Sequence, residues 1–296
     1  NAIDTPIRLA FSTELVTRAN LPSAIAMNAL MQSAGRMIGP TVAGLLLAVS
    51  TEAFCFLVNS LSKVIIVITV LNMVLAPRPI TRVTLSPLQQ LAEGARYAWH
   101  LLPARWTLPM VAIISFMVTP YQTLMPIFAV EVYGSGAGML GFLMSAAGCG
   151  GVVGMLALAS RRDVRGLSHW ITFSSLSAGL GAVIFSLSPW LPLSLAALAL
   201  TGFGIVVNGM AVSTMIQTIV EDRMRGRIMG IFSMAFLGMY PLGSLAGGAL
   251  ASAIGAPATL AIGGAICTIA ALVLWRRMPA LRAHLRPIYE RLKIIK

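Results

Sequence analysis

Two cations stand where the chain is otherwise apolar. Arg36 lies inside GRMIGPTVAG, residues 35–44, and Lys63 inside FLVNSLSKVIIVITVL, residues 56–71. A charge at the centre of a bilayer costs at least about 2.5 kcal/mol, so each needs a partner, water or a ligand. Arg36 fits either an ion pair within its own half, with Asp4 as one partner, or a role in transport. Lys63 fits contact with an anionic substrate, snorkelling to the interface, or a pair with an acid. Asp4 and Arg8 are four apart, the spacing of an ion pair on one helix face. SRRDVRG gathers Arg161, Arg162, Asp163 and Arg165 into a loop suited to an electrostatic latch.

Neutral chemistry comes from two further segments. Met117, Tyr121, Leu124, Met125 and Phe128 fall on one face at helical spacing. Thioether and aromatic groups adapt to varied apolar ligands, and the same spacing also describes ordinary packing. Gln122, Asn208 and Gln217 are amides in apolar surroundings, able to bond a ligand or a neighbouring helix. Proton coupling needs a carboxylate whose pKa the membrane raises. This chain offers Asp4 and, near an outer edge, Glu131.

Other chemistries are excluded. The only lysines are Lys63, Lys293 and Lys296, and none closes a GxxxxGK[ST] phosphate loop. HExxH, GxSxG and CxxC are also missing, so an enzyme is not expected. Cys55, Cys149 and Cys267 are scattered singly and read as small buried hydrophobes. No cofactor and no metal site is expected. The net charge of +12 does not imply nucleic acid, because the basic residues lie in short loops between apolar runs.

The elements that position these groups are membrane helices. The chain is 57% hydrophobic and 10% charged, where a soluble domain carries about 25% charged residues. Eight apolar segments are predicted near 23–49, 51–75, 108–130, 137–160, 168–187, 190–220, 228–252 and 257–275, each near the roughly 20 residues a span requires. Of 21 basic residues, 19 fall on one side of this arrangement, leaving Arg36 and Lys63 in the membrane. Cytoplasmic loops carry the excess of arginine and lysine, so both ends are expected in the cytoplasm. Within the loop 77–105, Ser86 and Pro87 read as a helix start. Leu88, Leu91, Ala92, Ala95, Trp99 and Leu102 then form an apolar stripe opposite Gln89, Glu93, Arg96 and His100, the pattern of a helix lying on the membrane surface.

A shift of 204 residues lays Val16 on Val220, Gly39 on Gly243, Gly44 on Gly248 and Asp4 on Asn208. Six segments separate the copies, the internal symmetry of one large transporter fold. That symmetry predicts about a hundred residues upstream of Asn1.

At this point DTPIRLAFSTELV, LPSAIAMNALMQSAGRMIGPTVAGLLL and FLVNSLS resemble the major facilitator superfamily, in its branch of bacterial enterobactin and multidrug or macrolide exporters. GPTVAG resembles that family's antiporter motif, with Ala43 in place of a glycine, and SRRDVRG its loop motif. The resemblance implies an all-α membrane protein, a fragment of the major facilitator fold with about eight transmembrane helices, family helices five to twelve, plus the tail of the fourth. The expected division is 1–75 as the end of an N-terminal bundle, 76–106 as linker, 107–275 as a C-terminal six-helix bundle and 276–296 as a basic cytoplasmic tail. Met117, Tyr121, Gln122, Met125, Asn208, Gln217 and Lys63 are the cavity candidates. Gly35, Arg36, Gly39, Pro40 and Gly44 make up the antiporter-like stretch, and its face of Gly35, Gly39 and Gly44 is expected to pack on Gly150 and Gly154.

The expected function is proton-driven export of a small amphipathic molecule by alternating access, an efflux antiporter acting as a monomer in the bacterial inner membrane. Its partners would be membrane lipids, a small-molecule substrate and protons. A nutrient importer or a non-transporting receptor or scaffold of the same fold are the alternatives.

Overall fold

The computed structural model describes residues 52–71, 87–135, 137–161 and 166–291. The chain divides into two compact units, 1–83 and 84–296. In the first, α1 (Glu52–Leu71) is a single apolar helix whose Leu57, Leu61, Ile65 and Ile68 are exposed. Two of its hydroxyls are satisfied locally: Ser62 donates to the Asn59 carbonyl and Thr69 to that of Ile65.

In the second unit, α2 (Pro87–His100) precedes a long bent span built from α3 (Leu102–Ile113), a π-helical stretch (Ile114–Val118), α4 (Tyr121–Ile127) and a second π-helical stretch (Phe128–Val132). Pro120 has no N–H to offer the carbonyl four residues back, and the helix winds wider just before it, with Thr119 N–H donating to Ile114. There follow α5 (Ala137–Ala159), α6 (Leu167–Leu187), α7 (Leu191–Ile219), α8 (Asp222–Ser233), a third π-helical stretch (Met234–Gly238), α9 (Met239–Ile254) and α10 (Ala256–Arg291). No strand occurs among the described residues.

Among the described residues, six spans are long and apolar enough to cross a membrane: 102–132, 138–159, 167–187, 191–219, 224–254 and 256–283. They coincide with the last six predicted segments. The last helix does not stop near residue 275. It runs on to Arg291, with Met278 and Leu281 still buried. Short connections alternate the spans, so Arg105, Arg161, Arg225, Arg227, Arg276 and Arg277 share one end and Glu131 and Trp190 the other.

α6 lies at the centre, packed on α7 and α10, and α7 packs on α5. Small residues make these crossings tight, as membrane helices require, since apolar side chains meeting each other gain nothing over lipid. A Cβ on Gly150 would strike the Ala199 backbone, and one on Gly202 the Ala147 backbone. Gly154 likewise faces Val207 and Phe203. Gly150 and Gly154 therefore serve the α5–α7 crossing inside this unit, and their expected partners Gly35, Gly39 and Gly44 lie outside the described residues.

The core holds Ile114, Val118, Tyr121, Met125 and Phe128 of the bent span against α6, α7 and α10. The ring centroids of Phe128 and Phe185 are 4.6 Å apart. A buried polar knot ties three helices together. Asn208 donates to Ser175 Oγ at 2.8 Å and to the Ile171 carbonyl at 3.3 Å. Ser175 Oγ donates to Ile171 at 2.6 Å, and the Cys267 thiol donates to the Ser175 carbonyl at 3.7 Å.

Candidate functional site

The spans expose two kinds of edge. Along α10, Ile262, Ile266, Ile269 and Val273 are exposed at helical spacing, an edge fit for lipid. Along α7, Met210, Thr214 and Gln217 occupy the same kind of edge, with Ser213 half-buried beside them. The Gln217 amide donates to Ser213 Oγ at 2.9 Å, and the Thr218 hydroxyl donates to the Thr214 carbonyl at 2.8 Å. On the bent span Gln122 and Thr123 are exposed. Thr123 donates to Ser244 Oγ of α9 at 3.2 Å, and Gln122 to the Tyr121 hydroxyl at 3.4 Å. Hydroxyls and amides on an open face in a membrane span want water or a polar ligand.

Such a face can hydrogen-bond a neutral polar group and hold an apolar one against Met210. It carries no formal charge. Among the described residues whose side chains are placed, the carboxylates Glu93, Glu131 and Glu221 lie at span ends or on α2, so none is set to relay a proton through the body of a span.

The predicted residues are not brought to one place. Gln122 lies twenty residues beyond Leu102, about 30 Å along the helix from the basic end. Gln217 is two residues from the end of α7 at that same basic end. Tyr121 and Met125 are 4% and 0% exposed and belong to the core, so packing replaces the ligand-lining role expected for them. Asn208, 1% exposed, is held by α6, which gives it the helix-bonding role. Met117 is half-buried and lines an apolar groove of about 200 Å³ with Phe116, Gly243, Gly247, Gly263 and Ile266. Lys63 is exposed on α1. Arg161 is exposed, its guanidinium 5.5 Å from the centre of the Trp170 ring. Asp4, Arg8, Gly35, Arg36, Gly39, Pro40, Gly44, Arg162, Asp163 and Arg165 lie outside the described residues.

Sequence reasoning passed over Thr123, Ser213, Thr214 and Ser244. Single hydroxyls in apolar helices are common, because they bond the preceding turn. The available signal was their spacing: Met210, Thr214 and Gln217 repeat at helical intervals.

Residues 1–289 match the transmembrane secretion effector family. The enterobactin exporter EntS of Shigella flexneri is 28% identical over 251 residues, covering 85% of this chain and 58% of that protein. The enterobactin exporter EntS of Escherichia coli O1:K1 shows the same identity and covers 59% of its own length. The chain thus spans less than two thirds of these relatives. With the family matched over nearly all its residues and six apolar spans in place, the chain belongs to the transmembrane secretion effectors of the major facilitator superfamily.

Proposed function

We propose that the protein is a secondary active transporter that exports a small amphipathic molecule, drug-like or siderophore-like, by alternating access. The observation that carries this reading is the polar edge of α7, where Thr214 and Gln217 are exposed beside Met210 while the edge of α10 exposes Ile262, Ile266, Ile269 and Val273. Such an edge suits a substrate with both polar and apolar parts. The similarity to exporters supports an outward direction of transport. The positive-inside rule supports a cytoplasmic basic end and C-terminus, and the similarity to bacterial exporters supports a bacterial inner membrane. Proton entry is the proposed drive, and its acid sits outside the described span bodies, with Asp4 the candidate in this chain.

Inverted vesicles carrying the intact protein test this. With an acid interior, a fluorescent amphipathic compound should accumulate, and a protonophore should abolish the accumulation. An absence of flux across a panel of amphipathic compounds would contradict transport and favour a receptor or scaffold.

A further inference from the structure

We infer that α2 is an interfacial anchor that docks on the anionic leaflet at the basic end of the bundle, with Trp99 and Arg105 as its lipid-binding pair. The helix divides into three faces, because successive residues advance about 100° around its axis.

The first face is buried. Gly94 and Ala98 seat on α8, where a Cβ on Gly94 would come within 3.2 Å of Ile231 Cδ1 and 3.3 Å of Arg227 Cβ. Glu93 pins the contact through its carboxylate, 2.7 Å from Arg227 Nη1. The polar face carries Gln89, Arg96 and His100, all exposed. The third face holds Leu91, Ala92, Ala95 and Trp99, all exposed, with Leu91 at 38% and Trp99 at 62%. The predicted apolar stripe is therefore not the face that docks on the protein. It is turned outward, beside the one that does.

The occupant follows from charge and place. The Arg105 guanidinium lies 4.5 Å from the centre of the Trp99 ring, at the edge of the outward apolar face. One residue on, Trp106 stacks with Arg277 of α10 at 5.6 Å. Arg161 and Trp170 repeat the pairing at the same end of the bundle. Tryptophan favours the headgroup level, and arginine beside it offers a planar donor fork to phosphate. Six spans fix the level of the bilayer, and α2 enters the first of them through Leu101 alone. An amphipathic helix held there, apolar on its outward side and fringed with arginine, matches the boundary of acyl chains and anionic headgroups.

The experiment reads Trp99 directly and does not depend on transport. The intact protein and its Trp99→Phe variant are reconstituted into bilayers of phosphatidylcholine, with or without phosphatidylglycerol, whose acyl chains are brominated near the ester end or near the methyl end. The difference in tryptophan quenching between the two proteins isolates Trp99. It should be about twofold stronger for bromine near the ester end, and should rise with phosphatidylglycerol in the intact protein but not in Arg105→Gln. Quenching of Trp99 by aqueous iodide and not by brominated lipid would overturn the inference. So would equal quenching with and without phosphatidylglycerol, which would leave an apolar contact without the anionic preference.

Discussion

The exposed edges of α7 and α10 differ in chemistry though both belong to spans of one bundle. The α10 edge reads Ile262, Ile266, Ile269, Val273, and the α7 edge Met210, Thr214, Gln217. Lipid asks nothing of a helix surface except apolar groups, so the first edge needs no further explanation. The second keeps an amide and a hydroxyl, groups that lipid solvates poorly, as an edge facing water or substrate would. Exposure alone is thus uninformative in a membrane protein. What a span exposes, compared with its neighbour, separates the lipid face from the working face.

The comparison can be broken in stages. Gly150→Leu would push a side chain into the Ala199 backbone and displace α7 from α5, with a loss of more than about 3 kcal/mol. Size-exclusion of detergent-solubilised protein should show aggregate in place of a folded peak. Ile266→Asp puts a carboxylate on the lipid edge and should lower insertion by about 3 kcal/mol, read as a fall in the membrane-integrated fraction. A polar change on a true lipid face has to cost this much.

Asn208→Leu removes the donor to Ser175 Oγ and the Ile171 carbonyl, and should destabilise the bundle by about 1–2 kcal/mol. Thermal unfolding should show it, with flux per folded molecule unchanged, because Asn208 is packed and the α7 edge is intact. Gln217→Leu makes the α7 edge resemble that of α10. Loss of one hydrogen bond of about 1 kcal/mol should lower flux about fivefold while thermal stability holds. An unchanged flux would remove Gln217 from the substrate face.

Much of the fold was legible because membrane helices announce themselves in composition. The last six predicted segments all appear as spans. The end of α10 was not legible. Arginine marks the limit of the bilayer, but it does not end a helix, and LRAHLRPIYER continues the same element. The site was less legible than the fold. Tyr121, Met125 and Phe128 share a face with the groove-lining Met117, yet spacing cannot say whether a face meets a ligand or another helix, and here Phe185 fills the place opposite Phe128. Asn208 pairs with Ser175 across 33 residues of sequence, and Glu93 with Arg227 from a helix several spans further on, contacts that no local pattern encodes. The stripe on α2 was read correctly as apolar, and what remained hidden was the neighbouring face, where Gly94 lets the helix sit down on α8.

Cysteine accessibility tests the central claim most directly. Cysteines placed one at a time at Thr214 and Gln217 of α7, and at Ile266 and Ile269 of α10, would be treated with a membrane-impermeant maleimide in open bilayer patches, in a background with Cys55, Cys149 and Cys267 replaced by alanine. Rapid labelling of both α7 positions, slowed by substrate, is expected, with almost none at the α10 positions. Equal labelling of the two edges, or protection of α7 with exposure of α10, would contradict that claim.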